Sequence, residues 1–337
     1  MLLCMVLILT GCSGKKADEP GGNPSATVTP NAEPIKEENV MTATPEPTAE
    51  VTPTVTPVPT SDDGMVLKCP VEMLKRRTEV TYSKFTHETY YSELCKRERG
   101  ITVLLPADYS EEKKYPVLYL LHGIFGDENS FAGDANLPVL FGNLFADGVC
   151  DEFIVVCPHM YCASDDTDQA PDFKKPESLD PYDRIGRELK ECLIPYINGK
   201  YSVIEGREGT YLAGFSMGGR ETLYTFLQYP DQYRFICAIA PAPGILPAKD
   251  MFMEHAGCYK NEEDVKVPEG SVLPDKILIL CGTKDSVVGK FPMSYHQVFE
   301  KNGIAHIWYE VPGADHDMTT QYSGIYNLLR VIGGKVQ

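Results

Sequence analysis

The chain has 337 residues and a formal charge of −17, which excludes nucleic acid as a partner because a polyanion repels a ligand with a phosphate at every nucleotide. The first 64 residues hold almost no aromatic side chains and much Pro, Thr, Glu and Ala, whereas the sequence after about Met65 has ordinary globular apolar content. One large domain of residues 65–337 behind an appendage is the expected organisation, not two domains of equal standing.

At the N-terminus, Leu2–Thr10 is an apolar run too short to span a bilayer, which takes about 20 residues, and it reads as a secretion signal over residues 1–12. Leu9-Thr10-Gly11-Cys12 resembles the bacterial lipobox, in which the cysteine is lipidated and becomes the new N-terminus. Cys12 is thus the expected lipidation site, and the expected location is extracellular, anchored to the bacterial membrane. No Lys or Arg precedes the apolar run, so the true start is expected upstream of Met1. Residues 13–64 include ATPEPTAEVTPTVTPVPT, whose prolines favour extended geometry and remove backbone donors. Such a segment builds no core and reads as a disordered linker.

Beyond it the pattern alternates. Continuous apolar runs at 116–121, 153–158, 210–215, 235–240, 276–282 and 306–313 predict six strands buried on both faces, as in a parallel sheet covered by helices. Ile185, Leu189, Cys192, Leu193, Tyr196 and Ile197 fall on one helical face, and MGGRETLYTFLQYP reads as a helix stopping near Pro230. The class is α/β, with a mostly parallel central sheet and helices on both faces. Of 11 cysteines, Cys157 and Cys281 sit in strand-like runs and read as core residues. No CxxC pair occurs, which argues against a structural zinc, and no metal or cofactor is expected.

Gly214-Phe215-Ser216-Met217-Gly218 follows one predicted strand and opens a predicted helix. That is the nucleophile-elbow arrangement: glycines give a crowded turn its space, and the serine is held out at the C-terminal edge of the sheet. The Met217 amide, at the helix N-terminus, is suited to bind an oxyanion. A serine needs a base and the base an orienting acid, in the order Ser, acid, His for an α/β-hydrolase. His316 follows the sixth strand and Asp285 the fifth, both at the same sheet edge; Asp315 and Asp317 flank the histidine too closely in sequence to turn back onto its ring. The loop LLHGIFGDENSF offers the Ile124 amide as second oxyanion donor, with His122 as an architectural residue.

The segments KKYPVLYLLHGIFGDENSF, GREGTYLAGFSMGG, LILCGTKD and GADHD, in this order, resemble the esterase D-like α/β-hydrolases, especially the carbohydrate esterases that include feruloyl and acetyl-xylan esterases. The resemblance runs from about Thr78 to near the C-terminus. It implies a Ser216–His316–Asp285 triad, an oxyanion hole of Met217 and Ile124, no cofactor, and hydrolysis of acyl esters of plant polysaccharide or of small esters. Acyl transfer, siderophore-ester hydrolysis and an inactive cell-surface binding protein are the rival readings. Many relatives carry an aromatic after the His-Asp pair and a Trp a few residues on; here Met318 and Gln321 or Tyr322 stand there, so acetyl esters are expected to be cleaved more readily than feruloyl ones. Phe125, Phe131 and Tyr161 are candidate sugar-stacking rings, and the acidic loop 164–173 reads as a solvated surface loop.

Overall fold

The computed structural model describes residues 61, 64–165, 167 and 175–335. The expected signal over residues 1–12 with Cys12, nearly all of the Pro/Thr segment and most of the acidic loop lie outside the described residues.

Eight strands form one sheet. They are β1 (Thr86–Ser92), β2 (Arg97–Leu104), β3 (Val117–Leu121), β4 (Ile154–Pro158), β5 (Thr210–Phe215), β6 (Phe235–Ile239), β9 (Lys276–Gly282) and β10 (Ile307–Val311), with the hairpin β7 (Ala248–Lys249) and β8 (Glu254–His255) apart from them. The order is β1-β2-β4-β3-β5-β6-β9-β10. The first two junctions are antiparallel and all those from β4 to β10 parallel. This is the mostly parallel sheet that the apolar runs predict, extended by an antiparallel edge pair.

Strand alternation sends side chains to both faces, and both are covered. Val117, Tyr119, Leu121, Ile154, Val156, Leu212, Ile236 and Ile277 pack on one side against α3 (Ile185–Glu188), α4 (Ile194–Lys200), α5 (Met217–Gln228) and α6 (Phe291–Lys301). Leu118, Leu120, Val155, Ala213, Phe235 and Leu278 pack on the other against α1 (Leu137–Ala146) and α7 (Met318–Ile332). The short helix α2 (Asp180–Asp183) leads into α3. Cys157 and Cys281 are buried free thiols in this core.

The apolar face from Ile185 to Ile197 is one helical stretch interrupted by a π-turn over Leu189–Leu193, where the Ile194 amide donates to the Leu189 carbonyl. Pro195 explains the interruption: it has no amide to continue the i to i−4 ladder, and the turn before it widens.

Candidate active site

β5 delivers Ser216 at φ 59° and ψ −118°, a conformation costly for a residue with a Cβ. Backbone hydrogen bonds hold it there. The Ser216 amide donates to the Ile239 carbonyl at 2.9 Å, and its own carbonyl accepts from the Ala242 and Arg220 amides, each at 3.0 Å. The glycines on either side have a steric reason. A Cβ on Gly214 would lie 2.2 Å from the Gly218 oxygen, and one on Gly218 would lie 2.2 Å from the Leu121 oxygen. Only a bare backbone lets the turn pass under β3.

The loop after β3 runs beside the serine, since a Cβ on Gly123 would be 3.5 Å from that of Ser216. His122 ties it down. Its Nε2 accepts from the Met160 amide at 3.1 Å, which leaves Nδ1–H to donate to the Gly123 carbonyl at 2.7 Å. Burial pushes the imidazole down to about 4, so it is neutral at pH 7. Ile124 and Met217, the two residues expected to supply oxyanion amides, border the same pocket as Ser216.

His316 and Asp285 meet across two loops. The His316 Nδ1 lies 2.9 Å from Asp285 Oδ2, and the carboxylate is 1% exposed. Its Oδ1 accepts from the Val287 and Val288 amides at 3.0 and 2.8 Å, so the acid presents one fixed oxygen to the ring. The loops are stitched together: the Lys284 amide donates to the Ala314 carbonyl at 2.9 Å and Gly313 to Thr283 Oγ1 at 2.7 Å. Asp315 and Asp317 serve elsewhere. Asp315 Oδ1 accepts from the Ser286 amide and hydroxyl and from the His316 amide at 2.7, 2.9 and 2.7 Å, bonds that hold its carboxyl below its usual range. Asp317 caps α7 through the Thr319 and Thr320 amides. Phe215 bridges the two groups, its ring centroid 4.5 Å from that of His316. Among the described residues no hydrogen bond joins the Ser216 hydroxyl to His316.

Two cavities open beside the serine turn. A slot of about 140 Å³ is lined mainly by apolar groups, among them Phe125, Leu179, Phe252, Met253, Val287 and Val288, together with Ser216. A wider cleft of about 500 Å³ holds Phe131, Asp134, Phe215, Met318, Gln321 and Tyr322. Ile124 borders both. Met318 therefore lines the wide cleft and leaves the walls of the slot unaffected. Tyr161 is buried and packs edge-on against Tyr182, at 5.0 Å between centroids, so it offers no stacking surface. Trp308 stacks on His296 instead.

His255, which the sequence places in a polar segment and so sets aside as the base, lines the slot with Asp250. The available signal is the segment Asp250-Met251-Phe252-Met253-Glu254-His255, where Met251 and Phe252 are exposed, large apolar side chains between charges. Among the described residues Cys95, Cys162 and Glu188 lie close enough to share a metal ion. The buried Arg99 guanidinium already contacts both sulfurs, at 3.6 and 3.5 Å, and supplies the positive charge there.

The family model named Esterase, "Putative esterase", matches residues 92–300, a stretch that holds Ser216 and Asp285 and ends before His316. The Endo-1,4-beta-xylanase/feruloyl esterase of Xylanibacter ruminicola is 27% identical over 222 residues, 63% of this chain and 26% of that protein. The chain spans about a quarter or less of the length of the curated relatives it matches. Among solved structures, the CE1 ferulic acid esterase AmCE1/Fae1A of Anaeromyces mucronatus, in complex with ferulic acid, is 40% identical with a TM-score of 0.76, covering 80% of this chain and 98% of that one. The S-formylglutathione hydrolase FrmB of Staphylococcus aureus, at 17% identity and TM-score 0.54, covering 75% of this chain and 100% of that one, shares the fold alone. Fold and matches together define an α/β-hydrolase of the esterase type. The chain belongs to the Esterase family and is a carboxylic ester hydrolase.

Proposed function

We propose that this protein is a secreted serine esterase that removes acyl groups, hydroxycinnamoyl groups foremost, from plant polysaccharide or its fragments. The observation that carries the reading is a strained serine on an elbow at the N-terminus of α5, with a carboxylate-oriented histidine packed on the ring of the residue before that serine. His316 takes the Ser216 proton as the hydroxyl attacks the ester carbonyl, and Asp285 fixes the tautomer and steadies the imidazolium. The Met217 and Ile124 amides stabilise the oxyanion, the alcohol leaves with the proton, and water then cleaves the acyl-enzyme by the same route.

The apolar slot suits the flat body of an aromatic acyl group, and the wide cleft suits a sugar. The ferulic acid esterase at 40% identity supports that choice of acyl group. With Met318 in the wide cleft, the sequence-based reason for a weakened aromatic grip bears on the other side of the serine. The Leu9–Cys12 motif supports a lipid tether outside the cell, and loss of radiolabelled palmitate from a Cys12→Ala variant is the expected outcome in a bacterial host.

Ser216→Ala tests the core of the reading. Turnover of methyl ferulate is expected to fall by about 10⁴–10⁶, with fluorophosphonate labelling abolished and the thermal midpoint preserved, because one hydroxyl is removed and no core volume. Labelling and turnover equal to wild type would overturn it.

A further inference from the structure

The wide cleft holds a polar group that the mechanism above leaves unused. Gln321 lies in the first turn of α7 and is only 6% exposed, yet its side-chain amide has no hydrogen-bond partner among the described residues. The backbone around it is fixed. The Gln321 N–H donates to the Asp317 carbonyl at 3.1 Å, and Thr320 Oγ1 donates to the Asp315 carbonyl at 2.6 Å. Neighbouring polar side chains on this turn are engaged within the protein: Ser323 Oγ donates to the Thr319 carbonyl at 2.6 Å, and Tyr322 Oη donates to the Asp134 carboxylate at 2.8 Å and accepts from Asn136 Nδ2 at 3.2 Å. Gln321 instead borders the cleft of about 500 Å³, where its amide meets whatever fills that space. An amide carries both a donor and an acceptor, and in so buried a place each needs a partner.

The cleft meets the reacting groups through residues it shares with them. Gly123 lines it, and a Cβ on Gly123 would be 3.5 Å from that of Ser216. Phe215 lines it as well, and its ring centroid is 4.5 Å from that of His316. Ile124 borders both the cleft and the slot that holds Ser216. His316 hands its proton to the departing alcohol, so the alcohol half of the ester lies against the flank of the site that this histidine and the start of α7 form.

The other walls narrow the chemistry of that alcohol. Phe131, Phe215 and Met318 offer apolar surface, and the Asp134 carboxylate, which accepts from Tyr322 Oη and the Asn136 amide, has lone-pair capacity left. A hydrocarbon alcohol leaves the Gln321 amide unpaired, and an anionic one is opposed by Asp134. A neutral polyol suits all of these walls: its C–H faces pack on the apolar side chains, and neighbouring hydroxyls donate to the amide oxygen and accept from the amide nitrogen. We propose that the Gln321 amide binds ring hydroxyls of the sugar that leaves from the ester, which makes this residue a specificity determinant for the alcohol half of the substrate. The proposal rests on the serine-esterase reading and deepens it.

The primary feruloyl ester of an anhydropentitol and tetrahydrofurfuryl ferulate share the acyl group and the five-membered ether ring and differ only in the ring hydroxyls. The wild-type kcat/KM ratio is expected to favour the hydroxylated ester by at least about fivefold, because a buried amide rejects the analogue that leaves it unpaired. Gln321→Met keeps an unbranched side chain of similar size and removes the amide, and in it the ratio is expected to fall below about twofold. Both esters are measured on each preparation, so a misfolded fraction cancels from the ratio. A wild-type ratio below about twofold, or an undiminished ratio in Gln321→Met, would overturn the proposal. The wild-type comparison stands even where the variant does not fold. The esterase reading, by contrast, fails on fluorophosphonate labelling of Ser216, a measurement that involves neither alcohol.

Discussion

Three aspartates surround His316, and their hydrogen bonds divide the roles among them. Asp285 holds the ring, Asp315 holds Ser286 and the His316 amide, and Asp317 caps α7. Asp285→Asn is therefore expected to lower kcat by about 10⁴, because an amide favours the wrong imidazole tautomer. Asp317→Asn keeps a capping side chain and is expected to change kcat less than threefold. Steady-state rates on methyl ferulate distinguish the two, and a larger loss from Asp317→Asn would reverse the assignment. His122 gives a pH-dependent prediction about stability. Its folded value of about 4 lies below the unfolded value near 6.5, so the unfolded chain binds the proton first and stability falls as pH drops through that window. Between pH 7.5 and 5 the loss from this residue is about 2 kcal/mol. In urea titrations the stability gap between wild type and His122→Asn should narrow by that amount on acidification. A gap that stays constant would mean that the ring is not held neutral.

At the scale of elements, Glu188 shows how the edge of the sheet is fastened. It sits fully buried on α3 and accepts from Tyr90 Oη at 2.7 Å and Ser92 Oγ at 2.8 Å, both on β1, with Arg99 Nε of β2 at 3.7 Å. Glu188→Ala leaves the Arg99 charge and two hydroxyls without this partner, and the expected cost is about 3–5 kcal/mol in urea unfolding. A loss under about 1 kcal/mol would mean that the hairpin is held by packing alone. That hairpin is also where the sequence is least legible. β3, β4, β5, β6 and β9 announce themselves because both faces are buried and nearly every residue is apolar. β1, THETYYS, is an edge strand with only Tyr90 and Ser92 buried, so its polar residues break the signal. The loops carrying Ser216, Asp285 and His316 are legible for the same reason as the strands, since each directly follows one. The slot is not: its wall is assembled from Leu179, the β7–β8 hairpin and Val287–Val288, segments distant in sequence that share no periodicity. His255 looks like a polar loop residue until the hairpin folds it against the slot.

The full chain has a formal charge of −17, part of it in the first 64 residues, and the wide cleft includes Asp134. Plant polysaccharide fragments bearing uronic acids are anionic, and a field of the same sign slows their approach. A neutral ester such as methyl ferulate feels no such barrier. The Debye length is about 30 Å at 0.01 M salt and about 8 Å at 0.15 M, so added salt removes most of the long-range repulsion. The expected result is that kcat/KM for a feruloylated, uronate-bearing oligosaccharide rises about two- to fivefold between those concentrations. The value for methyl ferulate should stay within about 1.5-fold over the same range. A fall for the anionic substrate would point to a local cationic contact in the cleft that outweighs the global field. Equal salt responses for the two esters would place the effect in the chemistry of the site and remove it from the encounter. The two arms together separate the charge of the molecule from the charge of its active site.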